Sequence, residues 1–223
     1  EGRTTSNGLV AAKAEAGVGT LVEVLCETDF VAKGQKFIDL ADKALAQAVA
    51  IGAADAQALL DSDLDGQSVQ AILDEANATI GEKIEIKRVA RVEAPTVVAY
   101  LHKTSPDLPA QIGVLVGITG GDEHVARDVA MHVAAFSPTV MTRDEVDAAV
   151  VENERRLAEA TAREEGKPEA AMPKIIEGRV NGFFKENVLL EQAFAKDPKK
   201  TVAKVLEEAG ATLTGFARFR VGA

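Results

Sequence analysis

The sequence is poor in cysteine and in aromatic residues. Cys26 is the only cysteine among 223 residues, and the chain has no tryptophan and a single tyrosine. One cysteine excludes an internal disulfide framework and any metal site built from several thiolates, and it favours a reducing compartment. Aromatic residues make up only 4% of the chain, so side chains for the base stacking used by single-stranded nucleic-acid binders are scarce.

The chain also has a shortage of positive charge and no long apolar run. Its 25 Lys and Arg residues stand against 35 Asp and Glu residues, and the net charge of −10 argues against a nucleic-acid partner. No stretch of about 18 apolar residues could span a membrane, and no secretion signal opens the chain. We therefore expect a cytoplasmic globular protein without direct nucleic-acid or membrane contact. Because the chain begins with Glu1 instead of Met, we expect a piece of a longer protein.

The first half of the chain predicts a hairpin, two helices and a third strand. Residues 9–15 and 20–27 favour strands, and Ala16-Gly17-Val18-Gly19 supplies the turn between them. Apolar residues then recur at helical spacing from an N-cap at Thr28 or Asp29 to Gly52. A second helix is predicted over residues 68–80, ending at Gly81, and a half-buried strand over residues 83–92.

The second half repeats this pattern. Strands are predicted over residues 96–102 and 111–118, followed by a helix to Phe136 with its cap at Gly120-Gly121-Asp122. Val22, Val24 and Cys26 correspond to Val114, Val116 and Ile118 at an offset of 92, whereas the closing strands correspond at an offset of 127. The difference locates an insertion of about 35 residues in the second half.

Two narrow apolar stripes within the insertion predict a helical hairpin. They cover residues 144–165 and the segment after Pro168, and we expect Pro168 in the first turn of the second helix. The predicted fold class is α+β, with two pseudo-repeated subdomains over residues 1–95 and 96–223. Each is an antiparallel three-stranded sheet packed with helices, and the second carries the hairpin at about residues 143–187.

Residues for covalent chemistry or metal binding are missing. Asp61 to Gly66 is similar to the first half of a calcium loop, but Ile72 stands where the closing Glu is needed, which favours an acidic loop before a helix cap at Ser68. His124 and His132 lie eight residues apart on one predicted helix and cannot share a metal ion. We predict a partly buried His132 with satisfied hydrogen bonds, no cofactor, no metal and no enzymatic activity.

The turn after the first hairpin has two interpretations. In the structural one, Thr28 or Asp29 caps the helix and Phe30 packs under its first turn; the pattern alone favours this one. In the functional one, Phe30 is a preorganised wedge for a partner's pocket, with Asp29 beside it.

The run TDFVAK at residues 28–33 resembles the signature of the bacterial translation elongation factor Ts family. The resemblance continues through the whole chain in the family's order. Its segments are EGRTTSNG (1–8), IGEKIEIKRVARVE (80–93), IGVLV (112–116), AMHVAA (130–135), KIIEGRVNGFFKENVLLEQAF (174–194) and GFARFRVG (215–222).

The resemblance implies a guanine-nucleotide exchange factor for elongation factor Tu that promotes release of GDP and magnesium. It implies that residues 28–31 contact the partner's nucleotide-binding domain and that Asp29 and Phe30 lie near the magnesium site there. It assigns a second contact to Ile112, Gly113 and His132. Family members usually begin with a ubiquitin-associated-like domain, which this sequence lacks, and some end with a further helix. Their helical hairpin serves self-association in some members, which makes a homodimer a second expectation.

Three other functions stay open on the sequence. The chain could be a self-associating scaffold that uses the helical hairpin, or an acidic calcium-binding module. An RNA-binding role would depend on two basic patches, at Lys83, Lys87, Arg88 and Arg91 and at Lys196, Lys199 and Lys200. Alternating cations along a strand are more often one solvated face, which makes this role the weakest.

Overall fold

A computed structural model of the chain describes residues 3–223, so Glu1 and Gly2 of the predicted family segment lie outside the described residues. The strands are β1 Asn7–Glu15, β2 Val18–Cys26, β3 Asp63–Leu64, β4 Gln67–Ser68, β5 Glu85–Glu93, β6 Thr96–His102, β7 Ile112–Thr119, β8 Ala193–Phe194, β9 Asp197–Thr201 and β10 Thr212–Arg220. The α-helices are α1 Asp29–Ala32, α2 Gln35–Ile51, α3 Ala56–Asp61, α4 Val69–Ile80, α5 Glu123–Phe136, α6 Ala148–Glu164, α7 Met172–Asn187 and α8 Val202–Glu208.

The chain divides into two compact units. Unit 1 contains the chain up to Ala134 together with Ala209–Ala223, and unit 2 is Ala135–Glu208. Both three-stranded sheets belong to unit 1, and the inserted helices α6 and α7 belong to unit 2. The predicted boundary between residues 95 and 96 falls inside unit 1, between β5 and β6, and the two-subdomain division stays a prediction.

Unit 1 contains the two predicted antiparallel sheets. The first has the order β1-β2-β5, and its hairpin turns at Ala16 and Gly17, which both have positive φ. The second has the order β10-β7-β6. The α+β class and the pair of three-stranded sheets predicted from the repeat are confirmed.

The two sheets share one apolar cluster, and glycines allow them to approach closely. A Cβ on Gly19 of β2 would lie 2.7 Å from a methyl carbon of Val97, and a Cβ on Gly113 of β7 would collide with Val10. Ordinary side chains at these positions would force the sheets apart. The buried members of the cluster are Val10, Leu21, Val92, Leu115 and Phe219.

Helices α2 to α4 bury another large apolar core of unit 1, in which Phe37 exposes only 1% of its surface. The sequence predicts one helix from Thr28 to Gly52. This is wrong at one point, because the helix is interrupted after Ala32 and begins again at Gln35. The amide of Gly34 bonds to the Val31 carbonyl and closes the turn, and Gly34 itself has ψ of 144°, which is extended. The helical spacing of apolar residues continues across the break, which explains the error.

The acidic segment at residues 61–66 is not an open loop. Strands β3 and β4 form a tight hairpin whose turn residues, Asp65 and Gly66, have φ of 55° and 89°. Short helix α3, capped by Asp55, precedes it and was not predicted. The hydroxyl of Ser68 accepts a hydrogen bond from the Ala71 amide and begins α4, as predicted.

Unit 2 contains the predicted helical hairpin. Helices α6 and α7 pack against each other, and Gly166 ends the first segment with φ of 75°. The predicted place of Pro168 is wrong, because it precedes a 3-10 turn at Glu169–Ala171, and Pro173 occupies the first turn of α7 instead. Val180, Phe184 and Val188 form one buried apolar cluster of the unit.

Candidate partner-binding site

The turn between β2 and α2 forms a single capped helical turn, α1. The hydroxyl of Thr28 accepts a hydrogen bond from the Val31 amide at 3.3 Å, and the Thr28 carbonyl accepts one from Ala32 at 3.2 Å. Thr28 has extended backbone angles, as an N-cap residue should. Of the two predicted caps, Thr28 is therefore the one used.

The side chains of α1 point in two directions. Ala32 is buried and Val31 packs against the core of unit 1. Asp29 is exposed, and Phe30 leaves 76% of its surface in contact with solvent. A helix advances by about 100° per residue, which places Phe30 about 200° around the axis from the buried Ala32. The expectation that Phe30 packs under the first turn is wrong, because this turn presents its large aromatic ring outward.

Residues 27–28 and residues 82–83 are joined by reciprocal hydrogen bonds at the base of α1. One carboxylate oxygen of Glu82 accepts hydrogen bonds from the amides of Glu27 and Thr28, both at 3.1 Å. Its other oxygen accepts one from the Thr28 hydroxyl at 2.7 Å. In return, the Glu27 carboxylate accepts a hydrogen bond from the Lys83 amide at 2.8 Å. Sequence reasoning missed Glu82, because its role depends on a partner more than fifty residues away.

Cys26 contributes a further hydrogen bond from inside the core. Its thiol donates to the Thr28 carbonyl at 3.2 Å. Burial, followed by the negative charge of Glu82, raises the pKa of the Cys26 thiol to about 12, so the group stays protonated and remains a donor at neutral pH. On the outer side, the amide group of Asn7 donates to the Glu27 carbonyl at 2.9 Å.

The second predicted contact group lies inside the protein. Ile112, Gly113 and His132 are all buried, and His132 exposes only 1% of its surface, which is more complete burial than predicted from the sequence. Gly113 faces the first sheet, where Val10 occupies the space of any Cβ. Strand β7 is the central strand of its sheet, which removes Ile112 and Gly113 from the surface. In the free chain, Ile112 and His132 are therefore largely shielded from solvent, and their contact with a partner stays a prediction.

At least three of the seven cations behind the RNA-binding alternative form internal ion pairs. Arg88 and Arg91 form ion pairs with Glu23 and Glu93, and Lys200 forms one with Glu208. Among residues 3–223, no group of three or more His, Cys, Asp or Glu side chains is placed to hold a metal ion. Within the same range, no helix has both the length and the apolar character needed to cross a membrane.

Comparison with known proteins gives one consistent family. The family model described as "Elongation factor TS" matches residues 27–223, which includes the whole α1 turn and both predicted contact groups. The chain is 60% identical over 223 residues to "Elongation factor Ts" of Kineococcus radiotolerans and 58% identical over 225 residues to that of Pseudarthrobacter chlorophenolicus. Each alignment covers all of this chain and 81% of the relative.

A third relative agrees with these two. "Elongation factor Ts" of Acidothermus cellulolyticus is 58% identical over 220 residues, covering 99% of this chain and 80% of the relative. Identity at this level over the full chain, together with the family model, confirms the resemblance first seen in TDFVAK. The chain belongs to the elongation factor Ts family of translation elongation factors.

Proposed function

We propose that the chain is a guanine-nucleotide exchange factor for elongation factor Tu. The observation that carries this proposal is the outward position of Phe30 on a turn fixed by its own cap and by Glu82. A large apolar side chain left in water on a rigid turn is a preorganised anchor for a partner's pocket. The proposal places the chain in the cytoplasm, where translation elongation takes place.

Each residue of the α1 turn has a separate task in this proposal. Thr28 caps the turn, and Val31 fixes its inner face to the core. Phe30 enters the partner's nucleotide-binding domain, and Asp29 brings a negative charge close to the magnesium ion bound there. A carboxylate beside the metal site competes with the phosphate oxygens for the cation and weakens the hold on GDP.

Linkage explains how this contact would release nucleotide without covalent chemistry. If the wedge binds the nucleotide-free partner more tightly than the GDP-bound partner, GDP binds the complex more weakly by the same factor. Differential binding is the whole mechanism, which is why we propose no enzymatic activity and no cofactor. GTP then reloads the partner and displaces the factor.

We propose that Ile112, Gly113 and His132 support a second contact with the partner from beneath the surface. Gly113 sets how closely β7 approaches the first sheet, and His132 lies on the buried face of α5. In this proposal they determine the shape of the neighbouring surface, and the residues that touch the partner are exposed neighbours such as Leu101 and Met131.

The direct test is stopped-flow release of a fluorescent GDP analogue from elongation factor Tu. The native chain should accelerate release, and Phe30→Ala should remove most of the acceleration because the wedge is gone. Ile51→Ala is the matched control, since Ile51 is also an exposed apolar residue of unit 1 but lies at the far end of α2. A release rate at saturating native chain equal to the spontaneous rate would refute the proposal.

Self-association is the second candidate, and one observation favours it. Leu157 and Val150 lie seven residues apart on α6 and leave 54% and 44% of their surfaces exposed. Residues at this spacing share one helix face, as in a coiled-coil seam. Sedimentation of the native chain and of Leu157→Glu tests the idea: the native mass should rise with concentration, and the variant should stay monomeric.

A further inference from the structure

We propose that Glu82 is a positioning residue for nucleotide exchange, which holds the α1 turn in the form that presents Phe30. This inference rests on the proposed function, because it concerns how the wedge is kept ready. Glu82 lies in the connection between α4 and β5 and does not belong to the turn it supports. Its carboxylate accepts three hydrogen bonds, all from Glu27 and Thr28.

Thr28 is the residue on which the turn depends, and Glu82 binds it twice. The Thr28 hydroxyl donates to Glu82 and accepts from the Val31 amide, so one oxygen joins the cap to the carboxylate. The Thr28 amide donates to Glu82 as well. The orientation of the cap, and through it the direction of α1, is thereby set by a side chain outside the turn.

Glu82 is itself held in place. Gly81 ends α4 in the left-handed conformation, with φ of 83°, and its amide donates to the Asn77 carbonyl at 2.9 Å. The Asn77 side chain accepts a hydrogen bond from the Ile84 amide at 2.9 Å. Lys83 donates its amide back to Glu27. The supporting carboxylate is therefore anchored on both sides before it binds the turn.

The turn needs such support because it is too short to be stable alone. Helix α1 has four residues, and a single helical turn is unfavourable in water without outside contacts. Phe30, mostly solvent-exposed, adds little packing energy in the free protein. Without Glu82, the residues of the turn would have to be ordered in the step that inserts Phe30 and displaces GDP, at a cost of about 1–2 kcal/mol per residue. That cost would be subtracted from the energy available for displacing GDP.

The chemistry of the donors explains why a carboxylate is suited to this position. Two amides and one hydroxyl converge on Glu82, and an ionised carboxylate offers only acceptors. A glutamine keeps the length and one acceptor oxygen, which can still bind the two amides. An aspartate keeps the charge but is one methylene shorter, so it cannot reach all three donors together. Comparing Glu82→Gln with Glu82→Asp therefore separates the effect of side-chain length from the effect of charge.

The experiment compares four variants in the GDP-release assay at increasing chain concentration. We expect Glu82→Ala and Glu82→Asp to lower the release rate at saturation about tenfold with little change in the half-saturating concentration. Glu82→Gln should stay within about threefold of the native rate. Glu75→Ala, an exposed acidic residue on α4, is the control and should behave as native. Simple loss of folded protein would raise the apparent half-saturating concentration and leave the saturated rate unchanged.

One further measurement does not depend on nucleotide-exchange activity, and a second tests whether Glu82 acts through Phe30. Amide hydrogen exchange at Glu27 and Thr28 should become about tenfold faster in Glu82→Ala, because both amides lose their acceptor. In a Phe30→Ala background, Glu82→Ala should not slow GDP release any further, because the side chain that Glu82 positions is absent. If Glu82→Ala does not fold, the comparison of Asp with Gln decides.

The outcomes separate this inference from the proposed function. A native saturated rate in Glu82→Ala, with Phe30→Ala inactive, overturns the positioning role and leaves the exchange function intact. No acceleration by the native chain overturns the exchange function, and amide exchange at Glu27 and Thr28 then shows whether Glu82 holds the turn. If Glu82→Ala lowers the rate of GDP release further in the Phe30→Ala background, the inference is contradicted, since Glu82 would then act by another route.

Discussion

Glu23 on β2 and Arg88 on β5 are direct cross-strand partners and form an ion pair whose carboxylate is completely buried. Arg88 Nε lies 2.6 Å from Glu23 Oε1, and the other Glu23 oxygen accepts the Gly222 amide at 3.1 Å. The Arg88 guanidinium also donates to the Arg220 carbonyl and stacks over the ring of Phe219. The Glu23–Arg88 pair of the first sheet thus holds the end of β10, which belongs to the second sheet.

Removing one member of this pair should destabilise unit 1 strongly. Arg88→Met keeps much of the aliphatic length but leaves a buried carboxylate without its cation, which costs ~3 kcal/mol. We expect the free energy of unfolding in urea to fall by about this amount. The double variant Arg88→Met with Glu23→Leu should recover a large part of the loss, because no unpaired charge remains. Equal stability of Arg88→Met and the native chain would contradict a structural role for the pair.

Cys26 should be inert in the folded protein. With a pKa of about 12, its thiol is almost entirely protonated at pH 8, and its side chain is buried. Iodoacetamide should not modify the native chain at pH 8 within hours, whereas it should modify the urea-unfolded chain within minutes. Rapid labelling under native conditions would show that the β2 end opens readily.

The same shift predicts a loss of stability in alkali. The pKa of Cys26 is higher in the folded chain than its ordinary value of 9.0, so the folded state holds the proton more tightly. Its contribution is therefore fully present below pH 9 and is lost as the pH rises from 9 towards 12. Cys26→Ser removes the titrating thiol, and its urea stability should fall less steeply over this range than that of the native chain.

Gly113→Ala should weaken the packing between the two sheets. The added methyl group collides with Val10, and overpacking of this kind costs about 1–3 kcal/mol. Val10→Ala on its own should also be destabilising, because it leaves a cavity. The two together should be less destabilised than the sum, since each change compensates for the other. Additive losses in thermal unfolding would show that the two positions do not meet.

Arg143 and Glu191 supply a test of unit 2. Arg143 donates two hydrogen bonds to Glu191, and this lowers the pKa of that carboxyl below its ordinary value of 4.5. The stabilisation is therefore present above pH 4.5 and is lost as the pH falls through the lowered pKa. Arg143 is half exposed, so Arg143→Met should cost only about 0.5–1 kcal/mol at pH 7. Thermal unfolding of the variant should also depend less on pH below 4.5.

The regular parts of the fold could be predicted from local pattern alone. Alternating residues predicted the two hairpins, and capping residues such as Ser68 and Gly81 predicted where α4 begins and ends. The repeat of Val22 and Val24 at Val114 and Val116 predicted the second sheet. These features depend on neighbours within a few residues, where sequence patterns are informative.

The features that were missed depend on distant contacts. The helix break at Gly34 follows from bonds that close α1, and the apolar periodicity runs straight through it. The pattern placed Phe30 in a turn but favoured an inward direction, whereas its outward direction depends on Val31 and Ala32 packing against the core and on Glu82 binding Thr28. The supporting role of Glu82 requires β2 and β5 to be paired first.

Strand β2 connects the close approach of the two sheets with the turn that carries Phe30. Leu21 in its middle lies beside Gly113, and Cys26 at its end bonds the carbonyl of Thr28, about 17 Å further along. Strand β2 is paired on both edges, so we expect a change in the spacing of the sheets at Gly113 to shift the turn that carries Phe30. Under the proposed function, substitution of Gly113, which is buried between the sheets, should therefore slow GDP release both through the second contact and through a displaced Phe30.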